Sequence, residues 1–108
     1  TIMAGLNCGI PSKSAWGIIK QGCDAVLTIL DEDARNAMRT LYKPNQNDTK
    51  IISGESGSAG LAGLIKCIKD PRLSKLNEHI GLNSKSRILI FNTEGDTDKK
   101  SFKSVVDL

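Results

Sequence analysis

Two stretches of this sequence carry residue types and spacings that could do chemistry: the glycine-rich turn Gly54-Glu55-Ser56-Gly57-Ser58-Ala59-Gly60 and the polar loop Asn92-Thr93-Glu94-Gly95-Asp96. The first follows the apolar stub Ile51-Ile52 and leads into an apolar-periodic helix. Free backbone N–H groups point out of such a helix start and can hold an anion. The spacing is GxxGxxG, with neither the Gly-Lys-Ser/Thr of a P-loop nor the GxGxxG of a dinucleotide fold. Glu55 also argues against phosphate, since it brings a carboxylate to the place an anion would take. Gly57, Gly60 and Gly63 recur every three residues and equally suit close packing of a bare helix face. The second stretch follows the apolar run Arg87-Ile88-Leu89-Ile90-Phe91. Ligands of open α/β sheets bind beyond the carboxyl ends of the strands, which is where Thr93 stands. Asn92, Thr93 and Asp96 could also do no more than make turn hydrogen bonds. Both readings of each stretch stay open on spacing alone.

Other groupings are explained more simply. Asp31-Glu32-Asp33 has the look of a metal cluster, but carboxylates in a first helical turn are what the macrodipole favours. A single His79 and three scattered cysteines, Cys8, Cys23 and Cys67, give no zinc-site spacing and no CxxC pair. They read as buried free thiols in a reducing cytoplasm. The net charge of +3 is spread out, and Lys99-Lys100 is the sole adjacent basic pair, so no nucleic-acid footprint is visible. No apolar run is long enough to span a membrane, and no signal peptide opens the chain.

The elements that must position these residues follow from the apolar pattern. The 108 residues are 39% hydrophobic and 25% charged, within the range of a globular domain, with aromatics at only 4%, so the core must be aliphatic. Residues 1–11 read as a buried loop ending at Pro11. Ser12 or Ser14 then caps a helix carrying Ala15, Trp16, Ile18 and Ile19, stopped by Gly22. Ala25 to Leu30 is a short, β-branched run, expected as a buried strand. Asp31 is the expected N-cap of the clearest helix, whose stripe is Ala34, Ala37, Met38 and Leu41. A helix through Leu61, Ala62, Leu64, Ile65 and Ile68 should end at Asp70-Pro71. Leu73, Leu76 and Ile80 follow at helical spacing, closed by Gly81. Residues 87–91 form the second expected strand, with both faces covered. The tail from Thr97 is mostly charged and turns apolar at Val105 and Val106. Helices alternating with fully apolar strands predict an α/β fold with a parallel sheet.

Taken in order, these segments resemble the C-terminal part of the fold-type-II pyridoxal 5'-phosphate (PLP) enzymes, the group of the threonine and serine dehydratases. Thr1-Ile2-Met3-Ala4-Gly5-Leu6 is similar to their Thr-Ile-Ala-x-Gly-hydrophobic loop. Asp31 to Leu41 is similar to their helix after the Asp-x-Val strand. Ser53 to Gly60 stands where they carry a Glu-Pro-Ser/Ala-Gly-Ala helix start, and Ile88 to Asp96 where they carry a strand ending in Ser-Gly-Gly-Asn. Gly-Glu-Ser-Gly-x-Ala-Gly and Thr-Glu-Gly-Asp-Thr-Asp narrow the resemblance to the diaminopropionate ammonia-lyase family.

The resemblance implies a partial three-layer α/β domain with a short, mostly parallel sheet, residues 1–108 being the C-terminal portion of the large PLP-binding domain. It implies α,β-elimination of 2,3-diaminopropionate to pyruvate and ammonia. The lysine that carries PLP, and the loop that holds its phosphate, are expected N-terminal of these motifs, so the fragment alone is expected to be inactive. By position, Thr93 matches the hydroxyl that meets the pyridine nitrogen, Glu55 the glutamate near the ring edge, and Gly5 the small residue whose backbone passes the ring. Glu94 departs from Gly-Gly, which leaves the shape of the loop around Thr93 open. The implied partners are an amino-acid substrate, the remainder of the same polypeptide and a second copy in a homodimer, in the cytoplasm, without nucleic acid or membrane. The competing reading, from the residues without the resemblance, is a stand-alone α/β domain that binds a small anion at Gly54 to Gly60 and catalyses nothing.

Overall fold

Ser12 starts the first helix: its hydroxyl accepts from the Ala15 N–H at 3.4 Å, and α1 runs Lys13–Gly22. The computed structural model describes residues 1–108, with four more α-helices: α2 (Asp31–Tyr42), α3 (Ala59–Lys69), α4 (Ser74–His79) and α5 (Lys99–Val106). Helix α2 opens differently from expectation. Leu30 is its N-cap residue, and Asp33 Oδ2 accepts from the Leu30 N–H at 2.8 Å. This is one half of a capping box, since leucine has no acceptor to return. Asp31, expected as the cap, instead accepts from the Thr1 hydroxyl and from the Ile2 N–H at 3.2 Å, which ties the first residues to α2. Helix α3 ends at Asp70-Pro71 as expected. The Asp70 carboxylate accepts from the Arg72 N–H at 3.0 Å and starts a 3-10 turn, Pro71–Leu73, that leads into α4. Gly81, at φ +68°, takes the left-handed conformation that closes this segment.

Helix α5 was not expected from the charged tail. Asp98 Oδ1 accepts from the N–H groups of Lys100 and Ser101, both at 3.0 Å, and so caps it. Its apolar face is Phe102, Val105 and Val106, which close over Met38 of α2 to form the core, with Tyr42 packed against it. Tyr42 meets Phe102 edge-to-face, with centroids 5.4 Å apart, and Lys50 Nζ lies 3.4 Å from the Tyr42 ring centroid. Arg39 binds α2 to α5 by donating to the Val105 carbonyl at 2.9 Å. On the other flank Lys66 of α3 pairs with Asp33 at 2.9 Å. Helix α2 thus packs on both α3 and α5, while α1 packs on no other helix.

The expected three-layer α/β domain with a parallel sheet is corrected: no residue of the chain is in a β-strand. Residues 25–29 and 87–91 make no backbone–backbone hydrogen bond. Nor are they covered, with Val26 85%, Leu89 78% and Phe91 75% exposed. A strand exists only through the bonds it exchanges with a neighbour, and these two runs have no neighbour of that kind within the chain. The reading of three buried thiols is corrected as well. All three cysteines are free, but only Cys67 is buried, while Cys8 and Cys23 are exposed. No helix is long and apolar enough to cross a membrane.

Candidate functional site

The turn before α3 and the loop at 92–95 are bonded to each other along most of their length. The Gly54 N–H donates to the Glu94 carbonyl at 2.9 Å. The N–H groups of Ser56 and Gly57 both donate to Glu94 Oε2, at 2.6 and 3.4 Å. Ser58, the residue before α3, gives the helix no side-chain cap. Its hydroxyl turns to Ser53, 3.0 Å from the Oγ. Glu94 therefore brings from across the loop the negative charge that the start of α3 favours.

This arrangement removes the basis of the anion-binding reading, because the amides that would hold a free anion already hold a carboxylate of the chain. The glycines have the other of their two roles. An added Cβ at Gly54 would stand 2.5 Å from the Gly95 carbonyl, and at Gly60 2.7 Å from Ile90 Cγ2. Gly63 is less confined, with Leu27 Cδ2 at 3.4 Å.

Asn92 pins the loop from its other side. Its Nδ2 donates to the Ile52 carbonyl and its Oδ1 accepts from Ser53 Oγ, both at 2.9 Å. Thr93 lies between these two fastened residues, exposed, with its hydroxyl in none of the hydrogen bonds of the loop. Gly5 reaches the same cluster: its N–H donates to Ser56 Oγ at 2.9 Å, and a Cβ there would stand 3.0 Å from that oxygen. The Glu55 carboxylate turns toward α5 and accepts from Ser101 Oγ at 2.9 Å. Hydrogen bonds thus link Gly5, Ser56 and Glu94; Glu55 and Thr93 are the chain neighbours of Ser56 and Glu94, but the Glu55 carboxylate is directed to α5 and the Thr93 hydroxyl joins none of these bonds. Ser56, Asn92 and Glu94 build that cluster; the sequence offered Asn92 only as a turn residue and gave Ser56 no role of its own. The one visible signal was Glu94 standing in place of a glycine.

Groups with displaced titration lie elsewhere. Asp33 is held below the usual carboxylate range by the Leu30 N–H and then by Lys66. Asp70 is lowered to about 2 by the Arg72 side chain and backbone. A concavity of about 680 Å³ between α2 and α3 is lined by Asn36, Thr40, Lys66 and Lys69 among others and contains none of Gly5, Glu55 or Thr93. No three of the His, Cys, Asp and Glu side chains gather as a metal site.

No protein-family model matches the chain. Its fold is similar to that of a PLP-handling lyase, solved in complex with an aminoacrylate-PLP azomethine reaction intermediate. The TM-score is 0.85 at 42% identity, over 98% of this chain and 28% of that one. A second structure of that lyase, in complex with D-serine, gives a TM-score of 0.85 at 39% identity, over 94% of this chain and 26% of that one. Both are diaminopropionate ammonia-lyase from Escherichia coli. By sequence the chain is 42% identical over 106 residues to the diaminopropionate ammonia-lyase of Escherichia coli K12. It is 34% identical over 107 residues to that of Salmonella typhimurium LT2. Each match covers 98% of this chain, and it spans only 27% and 26% of the two relatives.

Proposed function

We propose that this chain is the C-terminal portion of the large PLP-binding domain of an ammonia-lyase that converts 2,3-diaminopropionate to pyruvate and ammonia. The observation that carries this reading is the similarity along 98% of the chain to an enzyme of that name, at 42% identity. The residues present fit one edge of the cofactor. A free hydroxyl, that of Thr93, stands on a loop fastened at both ends, and the missing Cβ of Gly5 leaves Ser56 undisturbed. When bound, PLP supplies an electron-poor ring that takes up charge as the substrate loses its α-proton. The Thr93 hydroxyl is the partner for the ring nitrogen. Being neutral, it does not keep a proton there as an aspartate would, which suits a reaction whose leaving group departs early. Glu55, steadied by Ser101, lies near the ring edge, and the Gly5 backbone passes beside it. The lysine that carries the cofactor and the groups that contact the substrate belong to the rest of the polypeptide. The working protein in this reading is a cytoplasmic homodimer acting on a small amino acid.

The test is an assay of the complete polypeptide that contains this segment, with pyruvate release from 2,3-diaminopropionate followed by a coupled dehydrogenase. Release that depends on PLP, and that falls in Thr93→Asp while PLP still binds, is the expected result. A complete polypeptide that releases no pyruvate overturns the reading, and unchanged turnover in Thr93→Asp removes the role given to that hydroxyl.

A further inference from the structure

The Thr93 side chain makes no hydrogen bond, while the residues on both sides of it are fastened by several. On one side Asn92 is bonded twice, to the Ile52 carbonyl and to Ser53 Oγ. On the other, Glu94 is bonded through its carbonyl to Gly54 and through one carboxylate oxygen to the amides of Ser56 and Gly57. The partners of both residues lie within a single run, residues 52–57, so the two fastenings are made to one segment. The Ser56–Glu94 contact, at 2.6 Å, is the shortest of the set and is charge-assisted. The same Ser56 holds Gly5 through its hydroxyl. A hydroxyl that must meet a ring atom within a few tenths of an ångström needs its backbone held by such supports.

We propose that Glu94 is a positioning residue whose carboxylate, seated on the turn before α3, sets the place of the Thr93 hydroxyl relative to the ring nitrogen of the cofactor. The proposal rests on the reading of function given above. It also gives a role to the charged residue that stands here where the threonine and serine dehydratases carry glycine, since the amides of Ser56 and Gly57 both donate to its carboxylate. Glu94 touches neither substrate nor cofactor in this account. It acts through Thr93.

Glu94→Ala removes the carboxylate and leaves the Gly54 backbone bond in place, while Glu94→Gln keeps an acceptor oxygen without the charge. Both are made in the complete enzyme, with Thr93→Val and the double variant Glu94→Ala/Thr93→Val, and read by the visible band of bound PLP, by PLP affinity of the cofactor-free protein, and by steady-state kinetics. We expect Glu94→Ala to shift the band, weaken PLP and lower kcat by about tenfold to a hundredfold with KM little changed, as a small misplacement of a reacting partner does. Glu94→Gln should recover part of each change. The double variant should be no worse than Thr93→Val alone, since residues acting as one unit do not add. Effects that multiply, or Glu94→Ala with the wild-type band, PLP affinity and kcat, overturn the proposal alone. A wild-type enzyme that binds no PLP and eliminates nothing removes the reading of function and the proposal with it. If Glu94→Ala does not fold, the Glu94→Gln enzyme decides: a wild-type band and kcat there overturn the proposal, and a shifted band with reduced kcat supports it.

Discussion

An added Cβ at Gly57 would stand 2.5 Å from Asn92 Oδ1, 2.8 Å from the Glu94 carbonyl and 2.9 Å from Ser53 Oγ, groups that are themselves bonded within the cluster. One of these contacts is backbone, so no simple rotamer change relieves all three. Gly57→Ala should therefore cost about 1–3 kcal/mol, the usual range for overpacking. Gly17 gives the contrast. It lies within α1 with nothing near its missing Cβ, and Gly17→Ala should stabilise by about 0.5–1 kcal/mol through helix propensity. Thermal melts of the two variants beside the parent should move in opposite directions, and a Gly57→Ala melt at or above the parent's would contradict the close approach described here. The sequence marked Gly57 but left two meanings for it. What decides is Glu94, which lies 38 residues from Ser56, and no local spacing shows a contact of that range.

At the scale of elements, Asp33 joins the start of α2 to α3, accepting from Leu30 N–H and from Lys66. Its folded pKa is depressed, so its contribution is present above the unfolded value, about 3.9, and is lost as pH falls through the lower folded value. The parent should lose stability on acidification below about pH 4, and Asp33→Asn should be less stable at neutral pH but flatter across that range. Denaturant titrations at several pH values measure this, and parallel curves for the two proteins would refute it. Helix α5 depends on its own cap in the same way. Asp98→Ala should cost about 1 kcal/mol, and Phe102→Ala, which opens the small core against Met38 and Tyr42, about 3–5 kcal/mol. Urea midpoints rank the two, and the reverse order would mean that the core described here is not the main support. Helices α1, α2, α3 and the segment closed by Gly81 were legible because caps, stops and a 3.6-residue stripe are local signals. The α5 signal was also local: Asp98 stands as a cap, and Phe102, Val105 and Val106 recur at i, i+3 and i+4. It was masked by the lysines between them, which face solvent.

The whole molecule exposes 8334 Å², where a folded protein of its mass exposes about 5,800 Å². Its radius of gyration, 14.8 Å, likewise exceeds the value of about 13 Å for a compact domain of this length. Much of the exposed sequence is apolar: Ile88, Leu89 and Phe91 in one run, Val26 and Leu30 in another, and Trp16, Ile18 and Ile19 on α1. The sequence was explicit that 25–30 and 87–91 seek burial. It did not show that they find no partner within the chain, because strand pairing is non-local and an apolar run reads the same with or without its neighbour. Unpaired apolar runs of this kind are templates for association. The 108-residue chain alone is therefore predicted to form oligomers and to bind a hydrophobic dye. Replacing Leu89 and Phe91 with lysine should reduce both, because it places charge on the exposed run without touching the Met38–Phe102 core. The same pair of changes in the complete polypeptide should instead destabilise, since there the run is predicted to be covered. Light scattering on the two short chains and melting of the two long ones separate these cases. A parent chain that is a dye-silent monomer, or lysines that leave the complete protein's melting unchanged, would show that the exposed run is a true outer surface.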